Sequence, residues 1–95
     1  MLARMHRAGG ETILAVCDEH LLGTVLEDGR RKISVGEFYN GTSVDADTLA
    51  EWMRSAGSMN LIGDEAVSVA VREGYASEDS AFEIAGTKYL VVVMM

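Results

Sequence analysis

The 95-residue sequence has no proline, a single cysteine and no long apolar run, and each shortage narrows what the chain can be. Without proline, turns fall to glycine and Asx residues, and no segment has the composition of a stiff linker. The lone Cys17 cannot close an internal disulfide, and its apolar surroundings in the sequence point to a reducing, cytoplasmic setting. No stretch approaches the roughly 20 apolar residues of a membrane helix. Arg4, His6 and Arg7 also interrupt the N-terminus where a signal-peptide core would lie, so no membrane partner is expected. Basic residues are scarce as well. Fifteen acidic against eight basic side chains give a net charge of −7, which opposes sequence-blind attraction to phosphate backbones. Nucleic-acid binding therefore needs a local basic patch. Glycine-rich phosphate loops and the nucleophile-elbow pattern are missing too, which removes the simplest nucleotide-binding and hydrolase readings.

What is present fits one domain, residues 1–95, with enough apolar content to build a core without disulfide or metal staples. Thr12 to Gly23 is its centre. Ile13 to Cys17 form a continuous apolar run, the pattern of a strand covered on both faces, and polarity switches abruptly at Asp18. Leu2 to Arg7 alternates as a half-buried strand, and the Gly9-Gly10 turn makes the two a hairpin. Thr24–Glu27 and Lys32–Val35 flank Asp28-Gly29-Arg30-Arg31, a second and more exposed hairpin. Gly36 to Thr42 reads as a loop from which Phe38 or Tyr39 plugs the core. Ala46, Leu49, Met53 and Ala56 recur at helical spacing, with Asp45 as N-cap and Gly57 as stop. Ser58 to Ile62 reads as a link to a second helix over Gly63–Glu73. Ala81–Ala85 gives a short strand and Tyr89–Met94 a buried one. The expected fold class is α+β: a mainly antiparallel sheet of short strands with two helices packed on one face.

Three constellations invite a chemical reading. Cys17-Asp18-Glu19-His20 gathers a thiol, two carboxylates and an imidazole. A nucleophilic thiol needs a base in reach, and His20 meets Cys17 only if the bend folds back. Zinc needs three or four ligands, and beyond these two only His6 and carboxylates remain. The simpler reading makes Cys17 a small hydrophobe at the end of a core strand and Asp18 an acceptor for amides of its own turn. No metal or cofactor is expected, and no catalytic residue is assigned. Arg30-Arg31-Lys32 at a hairpin tip, with Arg4 and Arg7 on the first strand, form a basic patch if those ends are neighbours. Phe38 or Tyr39 would then be its stacking platform. Asn60, between the helical segments, suits a structural role in satisfying backbone groups at helix ends.

The order of these motifs resembles a small, mainly archaeal family known as domain of unknown function number 424. The carriers are the strand around Met5-His6-Arg7, the Cys17-Asp18 step with Leu21-Leu22-Gly23, Phe38-Tyr39 with Gly41, and Asn60-Leu61-Ile62-Gly63. The resemblance implies a compact single-domain cytoplasmic protein and brings no established activity, cofactor or catalytic residue. His20 lies outside the family's pattern, which counts against a Cys17–His20 pair.

The leading functional expectation is a non-catalytic module that docks on a protein partner through Asp18, Leu22, Phe38 and Tyr39, so that Asp18→Ala or Tyr39→Ala weakens capture with the fold intact. The alternative is an RNA- or ribosome-associated factor using Arg4, Arg7, Arg30, Arg31 and Lys32. A small enzyme using Cys17 or Asp18 comes third. A homodimer pairing sheets or edges is compatible with the sequence.

Overall fold

The computed structural model describes residues 1–94. In chain order the elements are β1 (Leu2–Ala8), β2 (Glu11–Cys17), β3 (Val25–Asp28), β4 (Arg31–Ser34), β5 (Thr42–Ser43), α1 (Ala46–Met53), β6 (Ser58–Ile62), α2 (Asp64–Arg72), β7 (Phe82–Ile84) and β8 (Thr87–Val93), with short 3-10 turns at Glu19–Leu21, Glu37–Tyr39 and Glu78–Ser80. Six strands make one sheet in the order β5-β1-β2-β6-β8-β7, and β3-β4 form a separate hairpin. The class is α+β as expected, and every pairing in the large sheet is antiparallel except β2 with β6.

That exception corrects the reading of Ser58–Ile62 as a mere link. The segment is a central strand, held between β2 and β8. Its polar Ser58 and Asn60 alternate with Met59 and Leu61, which are fully buried on the helical side. Five residues bounded by Gly57 and Gly63 are too short for a strong period, so the flanking helices dominated the pattern. The connection from β2 to its parallel neighbour thus runs through the hairpin and α1, as parallel strands require a crossover.

Side-chain alternation divides the core in two. Leu14 and Val16 of β2, Met59 and Leu61 of β6 and Leu90 of β8 face Leu49, Met53, Val67 and Ala70 of the two helices. The opposite face, carrying Ala15, Cys17 and Ile62, is covered by Leu21, Val35 and Tyr39, with Leu26 and Ile33 of the hairpin packed beside them. The β3-β4 hairpin is therefore a partial lid over the second sheet face, and this double cover explains why Leu14 to Cys17 is an unbroken apolar run. Gly41 closes the lid against β1, because a Cβ there would overlap the Ala3 carbonyl.

The two helices begin in different ways. The Asp45 carboxylate accepts from Thr48 N at 2.8 Å, the local cap expected from sequence, and that bond holds its carboxyl below the ordinary range. The residue before α2 is Gly63, which has no side chain to offer. Its cap comes from Asp18, 47 residues upstream of Glu65: Oδ2 accepts from Glu65 N at 3.0 Å and Oδ1 from Ala66 N at 2.8 Å. Asp18 is 4 % exposed, the one buried charged side chain among the described residues. A Cβ on Gly63, whose φ is +118°, would overlap the Asp18 carboxyl group. Glycine is required there both by backbone conformation and by the close approach of the cap.

Asp18→Ala should therefore destabilise the whole domain, by about 2–4 kcal/mol in guanidinium denaturation, because two amides at a buried helix start lose their acceptor. A change within about 0.5 kcal/mol, the range of an ordinary surface substitution, would show that the long-range cap does not hold the fold.

Candidate functional site

The bend after β2 and the loop before β5 come together as the sequence suggests, but they turn most of their candidate side chains inward. Asp18 is occupied by the start of α2. Tyr39 is 5 % exposed, and its hydroxyl donates to Asn60 Oδ1, while Asn60 Nδ2 donates to the Tyr89 hydroxyl at 3.2 Å. Leu22 is half-buried against the lid's apolar cluster. Only Phe38 shows substantial surface, at 40 %, and it lies flat on His6 with ring centroids 4.4 Å apart. A His6 ring nitrogen is also 2.8 Å from the Phe38 carbonyl oxygen. The expectation that Asp18→Ala or Tyr39→Ala would spare the fold is corrected accordingly, since both side chains are structural.

The thiol reading meets the same obstacle. Cys17 is fully buried, its Sγ 3.9 Å from the Tyr39 carbonyl oxygen, and its pKa is pushed up to about 11 by burial, with Asp18 and Glu19 adding to the rise. This favours the unreactive protonated form. Burial likewise raises Tyr39 to about 12, helped by Tyr89 and Cys17. His20 is exposed. Among the described residues no three His, Cys, Asp or Glu side chains gather as a metal site.

The five basic candidates do not form one patch. Arg4 shares the lid face of β1 with Leu2, and its Nη1 donates to the Glu37 carbonyl at 3.1 Å. Arg7 has the opposite parity and lines a shallow groove with Glu51 and Trp52 of α1. Arg30, Arg31 and Lys32 lie at the hairpin tip, where Arg31 Nη2 donates to the Glu83 carbonyl of β7 at 3.1 Å. Between β1 and β7 lie four strand spacings, about 19 Å.

Two surface features missed in the sequence lie at the β7-β8 end. One is a cleft of about 460 Å³ between the hairpin tip and the sheet, walled by Arg30, Arg31 and Lys32 and floored by Ile84, Phe82 and Tyr89. The other is an overhang. β7 has three residues and β8 seven, and their pairing ends at Phe82↔Tyr89. Gly63 N donates to Lys88 O and Met94 N to Gly57 O, so even-numbered residues of β8 bond toward β6 and odd-numbered ones point outward. Val91 and Val93 thus carry backbone groups beyond the reach of β7, and their side chains, 49 % and 69 % exposed, stand on the uncovered part of the lid face. The available signal was length: a three-residue strand before Gly86 cannot cover the apolar run that follows.

Comparison with known proteins gives a consistent but functionally silent result. The family described as "Protein of unknown function (DUF424)" matches residues 6–95. The crystal structure of an uncharacterized conserved protein from Methanopyrus kandleri is similar, with 32 % sequence identity, a TM-score of 0.84, and coverage of 99 % of this chain and 92 % of that one. No curated protein matches.

The Cys17 environment has a measurable consequence. Its folded pKa of about 11 lies above the ordinary thiol value of 9.0, so the stability it contributes is present below pH 9 and is lost as pH rises through 11. Stability should fall by on the order of 2 kcal/mol across that window. Cys17→Ala should flatten the fall, and the thiol should resist alkylation at pH 8 until the protein unfolds. Rapid alkylation of the folded protein would contradict this environment.

Proposed function

The chain belongs to the DUF424 family, whose description carries no activity, and from its own geometry we propose that it is a non-catalytic protein-docking module whose contact is the overhanging edge of β8. The observation that carries this reading is the coincidence on one strand of exposed Val91 and Val93 with backbone groups that have no partner among the described residues. Such an edge is ordinarily blunted by proline, an inward-pointing charge or a bulge, and none of these interrupts Leu90 to Val93. A row of free amides and carbonyls is complementary to another extended backbone, and alternate apolar side chains supply the pockets for register. The fitting occupant is therefore an extended segment of a partner, with apolar residues at every second position.

Charge narrows the partner further. With a net charge of −7, the domain attracts a basic segment and repels a second copy of itself. A foreign basic strand is thus favoured over a homodimer. The reading through RNA or the ribosome lacks support from a joint patch, because Arg4 and Arg30–Lys32 lie at opposite ends of the lid face and Arg7 has the opposite parity. The enzyme reading through Cys17 or Asp18 is disfavoured by the burial of the thiol and the engagement of the carboxylate at the start of α2.

The test uses a peptide array of extended segments that alternate apolar and basic residues. Binding peptides should slow amide exchange at Val91 and Val93, and the double variant Val91→Lys, Val93→Lys should weaken them at least about tenfold while leaving thermal stability unchanged within a few degrees. Protection elsewhere, or binding indifferent to the double variant, would reject this edge. A concentration-dependent dimer lost in the same variant would instead make the occupant a second copy.

A further inference from the structure

We infer that the cleft between the hairpin tip and the β7-β8 pair binds a nucleoside phosphate, with the base on Phe82 and the phosphate on Arg30 and Lys32. The inference is independent of the docking edge, since it uses neither Val91 nor Val93. The cleft, about 460 Å³, falls within the range that holds one small ligand. Its floor is apolar and one wall is cationic, so the complementary molecule is a flat, weakly polar body joined to an anion. Phe82 is 61 % exposed, an unusual state for a phenylalanine in a 95-residue domain, and its ring is the open aromatic surface of the cleft. An aromatic face of this kind stacks on a base without regard to base identity.

The cationic wall is both anchored and available. Arg31 is committed to architecture: it donates to the Glu83 carbonyl and lies 3.8 Å from Asp28, whose Oδ2 in turn accepts from Ala85 N at 3.4 Å. These contacts fix the hairpin tip against the β7-β8 turn, where Ala85 adopts a left-handed φ of +50°. A non-glycine residue held in that region reflects a turn determined by its surroundings, so the two walls keep their spacing without a ligand. Among the described residues no ion pair engages Arg30 or Lys32, and both are exposed at the rim. The Tyr89 hydroxyl accepts from Asn60 and keeps its own proton for donation.

A single nucleotide fits better than a strand of RNA. One aromatic platform and two free cations serve one base and one phosphate. Arg4 and Arg7 of the candidate set lie on β1, four strand spacings away, and the net charge of −7 repels a longer phosphate backbone.

The deciding experiment is NMR titration of the folded protein with AMP, adenosine, inorganic phosphate and an eight-nucleotide oligoadenylate. AMP should shift the amides of Arg30 to Ile33, Phe82, Ile84 and Tyr89. Adenosine and phosphate should each bind at least about tenfold more weakly, because each keeps only half of the contact. Phe82→Ala and the double variant Arg30→Ala, Lys32→Ala should each weaken AMP by roughly tenfold or more. These side chains are exposed, so the variants keep the fold, and an unchanged spectrum outside the cleft verifies it. The inference is overturned if AMP at millimolar concentration shifts nothing or shifts another region. Phosphate or adenosine binding as well as AMP overturns it too, as does an oligoadenylate that binds far more tightly than AMP.

Discussion

Everything at the polar end of the sheet depends on one carboxylate. Asp18 directly follows β2, and its two oxygens start α2, which follows β6 after a single glycine. A strand, its parallel neighbour and the helix behind them are thereby fastened at one point, below the level of solvent. The arrangement works only because Gly63 has no side chain, so the cap and the glycine form one structural unit divided between two distant parts of the sequence. A charged group buried this deeply is tolerated because the partial positive charge of a helix start and two amide donors replace the water it has lost.

How far the sequence disclosed this can be judged element by element. The β1-β2 hairpin, the doubly covered run at Leu14–Cys17, the Asp45 cap and both helices were readable because each depends on local chemistry: glycine turns, apolar continuity, Asx capping and a period near 3.6. β6 was not, since five residues between two glycines leave too few repeats and its identity as a strand comes from its neighbours. Asp18 shows a similar limit. An aspartate after a strand signals an acceptor for nearby amides, and that chemistry is present, but the donors belong to a helix that begins 46 residues later. The inward turn of the candidate contacts Asp18 and Tyr39 has the same cause. Tyr39 and Phe38 are adjacent and chemically alike, and only the packing of the lid determines that one is buried and the other stacked on His6. The separation of Arg4, Arg7 and Arg30–Lys32 follows from strand order and parity, which single-sequence reading cannot supply.

The lid explains where the two open surface features lie. Hairpin β3-β4 and the 37–39 turn cover the sheet over Ala15, Cys17 and Ile62, then stop short of the last residues of β8. Cover buries Asp18 and Leu21 of the bend and leaves the cleft and the overhang at its margin. The buried chain Tyr39–Asn60–Tyr89 runs under this cover to the cleft floor, so the polar groups of the second face are satisfied internally, and the free hydrogen-bonding capacity lies at the edge.

The unequal lengths of β7 and β8 have a consequence for the free protein in solution. An open apolar edge is kept from its own kind by like charge, and that protection is set by acidity. Near the sequence isoelectric point of about 4.6 it vanishes while the fold's hydrophobic layers remain intact. Mild acidification or high salt therefore turns the same edge toward self-templated pairing, strand beside strand. The colloidal lifetime of this domain is thus a property of two outward-facing residues at the margin of its sheet rather than of its core.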